Sequence, residues 1–256
     1  MLVSITGLTH TYPGRPPRPA LSNLNLCVGS GQFVVLIGPS GCGKSTLLRL
    51  IANLLQPTRG EIRLDGGVPP AQAVAEQRVA WMAQSPALLP WLNASANVAL
   101  AHRFLPPGTP PRLSPQQALE RVGLGEYAGS FPFTLSGGMQ QRLALARLLS
   151  LNAALWLMDE PFAALDELTR ERLTQELSEL WQPLRPTVLW ITHNIYEALR
   201  LADRVLVLSA QPGRLIADLA VGLPRPRQEG SPEFQAALAA LRGALAQAAQ
   251  ESHDHP

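Results

Sequence analysis

Gly38-Pro39-Ser40-Gly41-Cys42-Gly43-Lys44-Ser45 follows the apolar run Phe33-Val34-Val35-Leu36-Ile37 and precedes a helical pattern from 44 to about 55. The eight residues fit G-x-x-x-x-G-K-[ST], and the order strand, glycine loop, helix is the context this pattern requires. Glycines admit positive φ, so consecutive backbone N–H groups can point at one anion. The helix that begins here adds the favourable field of its N-terminus. Lys44 has the reach for β- and γ-phosphates, and the Ser45 hydroxyl is a suitable Mg²⁺ ligand. The alternative, a glycine turn that merely caps a helix, needs a chance match expected on the order of once per hundred chains of this length. Gly38, Pro39, Ser40, Gly41, Cys42, Gly43, Lys44, Ser45 and the adjoining Thr46 are therefore assigned to nucleotide binding.

Outward from this loop, residues 155–158, 187–191 and 205–208 read as further buried strands. Helical stretches at 137–149 and 168–181 alternate with them, which implies a mainly parallel α/β sheet. Upstream, short strands are expected at 3–5 and 24–28, separated by the turn-rich stretch 13–19. Between about 86 and 150 the pattern is mostly helical, with a proline-rich connection at 106–115, as for a helical subdomain inserted into the sheet domain. Residues 61–78 have no clear pattern. After about Leu223 the composition shifts to LPRPRQEGSPEF and then to an alanine-rich helix ending in SHDHP. The expected division is a domain over 1–222 and an extension over 223–256, where His253 and His255 reflect composition rather than a metal site.

Leu155-Trp156-Leu157-Met158-Asp159-Glu160 places two carboxylates at the C-terminal edge of a buried strand, where open α/β sheets gather ligands. Asp159 suits Mg²⁺, through water, and Glu160 suits proton acceptance from an attacking water. An acidic turn after a strand is common, and the phosphate loop is what lifts this pair above that reading.

Leu135-Ser136-Gly137-Gly138-Met139-Gln140-Gln141-Arg142 resembles the LSGGQ-type signature of ABC ATPases. Ser136 and two glycines open a helix whose N-terminus can hold an anion. The resemblance implies that this anion is the γ-phosphate of ATP bound to a second subunit, with Ser136, Gly137 and Gly138 as the grip. It further implies that Tyr12 stacks on adenine and that Gln84, after a strand at 79–83, links the metal to a transmembrane partner. Asp166, in Ala164-Leu165-Asp166, would cross the dimer interface, and His193 would contact the γ-phosphate. Catalytic roles would thus fall to Glu160, His193, Gln84 and Lys44, and metal binding to Ser45, Gln84 and Asp159. The fold implied is α/β, a phosphate-loop ATPase core with an antiparallel β subdomain and an inserted α-helical subdomain. Leu88-Leu89-Pro90-Trp91, Pro161-Phe162-Ala163-Ala164-Leu165-Asp166-Glu167-Leu168-Thr169-Arg170 and the LPRPR tail look like the nitrate/sulfonate/taurine import branch. Asn194 stands where that branch usually has Asp, and Asn53 where Gly is usual.

Composition fits this reading. A formal charge of +2 without a long basic run gives no footprint for nucleic acid. Two cysteines, Cys27 and Cys42, are too few for a disulfide framework and read as free thiols of a reducing compartment. There is neither a secretory signal pattern nor a run of about 18 apolar residues; the resemblance implies a peripheral place on the cytoplasmic face of the cell membrane. The cofactors implied are ATP and Mg²⁺. The partners implied are a second ATP-binding subunit, an integral-membrane permease and, indirectly, an extracytoplasmic solute-binding protein. Nitrate, a sulfonate, taurine and related organic anions all fit the branch, and the partner ATPase can be a second copy or a different subunit. The rival is a non-transport ABC ATPase, which usually carries coiled coils, a tandem domain or basic surfaces not seen here.

Overall fold

The computed structural model describes residues 1–163 and 165–250. In chain order it contains β1 (Val3–Tyr12), β2 (Arg18–Val28), β3 (Phe33–Ile37), α1 (Lys44–Ile51), β4 (Arg59–Leu64), α2 (Pro70–Ala75) and β5 (Val79–Met82). Then come α3 (Ala94–His102), α4 (Pro115–Arg121), α5 (Gly137–Leu149), β6 (Leu155–Asp159), α6 (Glu167–Leu184), β7 (Thr187–Ile191), α7 (Ile195–Leu201), β8 (Arg204–Leu208), β9 (Leu215–Ala220) and α8 (Pro232–Gln250). A six-stranded sheet has the order β5-β6-β7-β3-β8-β9, parallel except for β9. A separate antiparallel sheet has the order β2-β1-β4.

The unbroken apolar sequence of β3 follows from burial on both faces. Phe33, Val35 and Ile37 join one hydrophobic cluster, and Val34 and Leu36 join the other. The first cluster reaches α3, α4 and α5, so the helical segment shares a core with the sheet. An aromatic group anchors this side: Phe33 lies 5.5 Å from Trp181 and 5.9 Å from Trp190, and Phe162 lies 5.2 Å from Trp190.

Three expectations need correction. β1 runs to Tyr12 rather than ending near Ile5, because bulged pairing carries it past Gly7, whose N–H donates to Asn25 Oδ1 at 2.8 Å. β2 begins at Arg18, inside the stretch read as a turn; Pro19 is tolerated because β2 is an edge strand. α1 stops at Ile51, short of 55, because Asn53 takes φ 57° and turns the chain. There Leu54 N–H donates to Arg49 O at 2.8 Å and Asn53 N–H to Leu50 O at 3.1 Å, the paired bonds of a left-handed helix stop. Asn is the side chain that best replaces Gly in this conformation, which accounts for the departure at 53.

The stretch without a clear pattern, 61–78, holds most of β4 and all of α2. The chain after Leu223 lies against the sheet domain. Arg225 bridges to Asp203 Oδ1 at 2.8 Å and lies 4.8 Å over Trp181. Arg227 donates to the carbonyls of Leu199, Ala202, Val221 and Leu223. Desolvation pushes its guanidinium down to about 10. α8 buries Phe234, Leu238, Leu241 and Ala248. Residues 251–256, with His253 and His255, lie outside the described residues, as does Ala164.

Substitution at the α1 stop gives a direct check. Asn53→Gly is expected to change stability by under about 0.5 kcal/mol, and Asn53→Val to lower it by about 1–2 kcal/mol. Urea unfolding of the three proteins tests this; equal midpoints for Val and Asn would contradict the assigned backbone.

Candidate active site

The strand order places the ends of β5, β6, β7 and β3 side by side, so Gln84, Asp159-Glu160, Thr192-His193 and the phosphate loop emerge on one edge. A cleft of about 780 Å³ opens there, a volume suited to a nucleotide-sized ligand. Tyr12, Gly38, residues 40–46, Glu160 and His193 line it.

The loop folds around its own lysine. Lys44 is buried, and its Nζ donates to Gly38 O at 2.8 Å and Pro39 O at 2.9 Å, with Cys42 Sγ at 3.5 Å. Gly43 has φ 98°, and a Cβ there would come within 2.6 Å of Ala20 O. Tyr12 Oη and Thr46 Oγ1 are 3.1 Å apart, which ties the aromatic ring to the start of α1.

Ser45 Oγ donates to Asp159 Oδ1 at 2.9 Å. Burial raises the Asp159 carboxyl above its usual range, against the opposing pull of the Ser45 hydroxyl; neighbouring Glu160 adds to the rise, and Arg49 and Lys44 oppose it. A buried anion beside a hydroxyl oxygen is a hard donor pair, the chemistry that Mg²⁺ prefers. Among the described residues no group of three or more His, Cys, Asp or Glu could hold a metal alone. Mg²⁺ commonly keeps several waters and takes phosphate oxygens beside one or two protein ligands. Ser45, Asp159 and the Gln84 amide are the residues that would hold it.

Glu160 is the meeting point of the acidic edge. Its Oε2 accepts from Gln84 Nε2 at 3.4 Å and lies 3.5 Å from His193 Nδ1. The backbone here has φ 45°, a left-handed conformation costing about 1–3 kcal/mol for a residue with a side chain. It is held because Glu160 N–H donates to Ile191 O at 3.1 Å and Ala163 N–H to Glu160 O at 3.2 Å. The neighbouring acids have different partners, Ser45 for Asp159 and Gln84 with His193 for Glu160.

Ser136, Gly137, Gly138 and Asp166 are not among the cleft residues. Ser136 caps α5, its Oγ accepting from Met139 N–H at 3.3 Å. Asp166 caps α6 in the same way, accepting from Thr169 N–H at 3.0 Å. The backbone bond from Thr169 is the main reason its carboxyl sits below the usual range.

The sequence profile of the family described as "ABC transporter" matches residues 21–163. The chain belongs to the ABC transporter family. It is 44% identical over 234 residues to the nitrate import ATP-binding protein NrtD of Synechococcus elongatus, covering 87% of this chain and 84% of that one. It is 46% identical over 224 residues to the aliphatic sulfonates import ATP-binding protein SsuB 2 of Pseudomonas aeruginosa, covering 88% and 77%. Among solved structures, the dimeric post-hydrolysis state of the ATP-binding cassette MJ0796 with ADP and Pi matches with a TM-score of 0.76. The identity is 32%, over 87% of this chain and 100% of that one. The protein is thus an ABC ATPase that uses ATP with Mg²⁺. Among the described residues no helix is long and apolar enough to cross a membrane.

Two parts of this ABC subunit's site were not read from sequence. Arg18 and Gln211 complete the cleft near Tyr12, linked Nη2 to Oε1 at 3.4 Å. Gly213 supports the phosphate loop so closely that a Cβ would come 2.0 Å from Cys42 O. Their distance along the chain from the loop left no local signal. Glu197, also missed, is buried in α7, and its Oε2 accepts from the Thr192 hydroxyl. Asn194 caps α7, its Oδ1 accepting from Tyr196 N–H at 2.9 Å and Glu197 N–H at 3.1 Å.

Desolvation pushes the Glu197 carboxyl up to about 7 against a usual 4.5, with the Thr192 hydroxyl, Arg170 and Arg200 opposing the rise. Between those values the folded chain holds one more proton than the unfolded chain. The resulting stabilisation is complete below pH about 4.5 and is lost as pH rises through about 7. Glu197→Gln is expected to remove this slope. Urea unfolding at pH 5 and pH 8 should show wild type losing stability relative to the variant, and parallel pH curves would contradict the assignment.

Proposed function

We propose that this subunit drives uptake of a small anion, of the nitrate or organosulfonate kind, through a membrane permease, as one of two ATPase subunits on the cytoplasmic face. The observation that carries this reading is the incomplete site: the cleft gathers the phosphate loop, Glu160 and His193, while Ser136, Gly137 and Gly138 open a helix elsewhere. A second subunit, in antiparallel apposition, would bring its own Ser136 helix to this cleft. The dimeric neighbour and the import names of the relatives support the same assembly. Residues 1–222 are taken as the ATP-binding domain, with 86–150 inserted as the helical part, and 223–256 as an extension.

Phosphoryl transfer asks the protein for positioning and charge compensation. Lys44 is placed by the Gly38 and Pro39 carbonyls, and shifting it toward β- and γ-phosphate oxygens exchanges these neutral partners for charged ones. Mg²⁺, when bound with the nucleotide, supplies charge neutralisation on the phosphate oxygens. Glu160 orients a water for in-line attack and accepts its proton as the γ-phosphoryl leaves ADP, giving ADP and phosphate. Gln84 and His193 hold the Glu160 carboxylate from two sides. Tyr12 offers the adenine a ring face at the cleft, and Asp166 lies in the segment that would meet the second subunit. Because hydrolysis needs both chains, closure and nucleotide state are one variable, and Gln84 with the helical segment passes it to the permease.

Glu160→Gln is expected to keep ATP binding and accumulate a dimer with ATP that is absent without it, read by size-exclusion chromatography. Ser136→Arg should lower hydrolysis by about 100-fold or more while an isolated subunit keeps its nucleotide affinity. Loss of affinity in Ser136→Arg, or a monomeric Glu160→Gln protein in saturating ATP, would reject the shared site.

A further inference from the structure

Arg170 makes contacts that neither catalysis nor the stability of α6 calls for. It lies in the first turn of α6, where a cation is disfavoured by the helix field, while Asp166 and Glu167 already supply the favourable charges. Its ion pair with Glu167, at 2.7 Å, involves a largely exposed partner and adds little. Its other bonds go back to the loop before the helix: Nη2 donates to Leu165 O at 2.7 Å and Nε to Phe162 O at 3.3 Å. The guanidinium thus spans the loop that leads from Glu160 to Asp166.

Both ends of that loop are fixed to other parts of the site. Phe162 packs edge-on against Trp190 of β7. Leu165 meets the signature segment of the same chain, since a Cβ at Gly138 would lie 3.3 Å from Leu165 Cδ2. On the opposite side, Arg170 and Glu197 line one small cavity of about 10 Å³ with Thr192 and His193, too small for a ligand. Thr192 Oγ1 donates to Glu197 and accepts from Asn194 N–H at 3.0 Å, so the residues on both sides of His193 are tied to α7.

We propose that Arg170 is a positioning residue: beside Glu197, its guanidinium holds the carbonyls of Phe162 and Leu165 so that the interface loop, the signature glycines and His193 keep one register as two subunits close. A lysine, with one point-like ammonium, cannot span both carbonyls and the Glu167 carboxylate as a planar fork does. The clamp itself belongs to the folded monomer; its effect on turnover rests on the shared-site reading given above.

The test uses full-length Arg170→Ala and Arg170→Lys. Hydrogen exchange of the monomer should rise at residues 161–166, where Ala163 and Leu165 N–H groups are bonded within the loop, and stay unchanged in β6 and α1. Turnover at saturating ATP should fall about 10- to 100-fold with the affinity of the monomer for a fluorescent ATP analogue unchanged. In the Glu160→Gln background the ATP-dependent dimer should weaken, with Arg170→Lys between alanine and wild type. Unchanged exchange at 161–166 would overturn the clamp. A loosened loop with wild-type turnover and dimerisation would overturn the positioning role, and so would a parallel loss of affinity and turnover. Should the Arg170 parent itself neither hydrolyse ATP nor dimerise in its Glu160→Gln form, the shared-site reading fails, and the exchange measurement still decides whether Arg170 holds the loop. If the alanine protein does not fold, the lysine protein carries the same three readouts.

Discussion

Everything in this molecule is referred to one short strand whose end is buried. β3 is hydrogen-bonded on both sides, to β7 and β8, and its two faces belong to different hydrophobic clusters. Neither its height nor its tilt can change without disturbing both layers, because close-packed interiors transmit displacement rather than absorb it. The phosphate loop therefore leaves the sheet from a fixed point. Lys44 then closes the loop on itself through two backbone carbonyls. The ammonium is buried but satisfied by those carbonyls, which keeps a cation within the loop.

Beside this loop the end of β6 supplies two consecutive acids, Asp159 and Glu160. Ser45 and Asp159 form the inner pair, and Glu160 is swung outward by a left-handed backbone turn. That turn costs about 1–3 kcal/mol, and the two acids have different partners: Ser45 for Asp159, Gln84 and His193 for Glu160. Burial raises the Asp159 carboxyl, so its ionised form gains from a cation brought by the substrate. The cleft is thus best completed by a ligand that carries anionic phosphates and a hard metal together. The exposed start of α5 at Ser136 and Gly137 lies apart from this cleft, as the proposed shared site requires.

The strands of the parallel sheet were legible because burial on both faces writes an unbroken apolar word, as in Phe33-Val34-Val35-Leu36-Ile37. The site motifs were legible because each is local: the loop glycines, the acid pair and the capping serine of α5 need only their neighbours in sequence. What escaped was long-range or conformational. The bulge at Gly7 breaks alternation, so β1 looked under a third of its length, and Pro19 imitates a turn until β2 is known to be an edge. Gln211 and Gly213 reach the phosphate loop only through tertiary pairing, with Gly213 N–H on Ala20 O at 2.9 Å. The composition shift after Leu223 marked an extension but carried no sign of its contacts: Arg225 and Arg227 bind carbonyls, an aspartate and a tryptophan face.

Asn194 shows how a departure from pattern can be absorbed. A carboxylate at this position would cap α7 with the same two N–H groups that the Asn194 carbonyl oxygen now accepts, so the helix start is preserved. What the amide withholds is charge, worth about 0.3–1 kcal/mol at a helix N-terminus. The acid that remains in this turn, Glu197, is buried and its carboxyl is pushed up to about 7, so it contributes only part of a negative charge near neutral pH. His193 therefore stands beside Glu160 with no fully ionised acid at its own helix start. An aspartate at 194 would add a further carboxylate to the acids already gathered at this edge, Asp159 and Glu160. The substitution leaves the start of α7 in place and, on the proposed reading of His193, removes a negative charge from beside the phosphate it would contact.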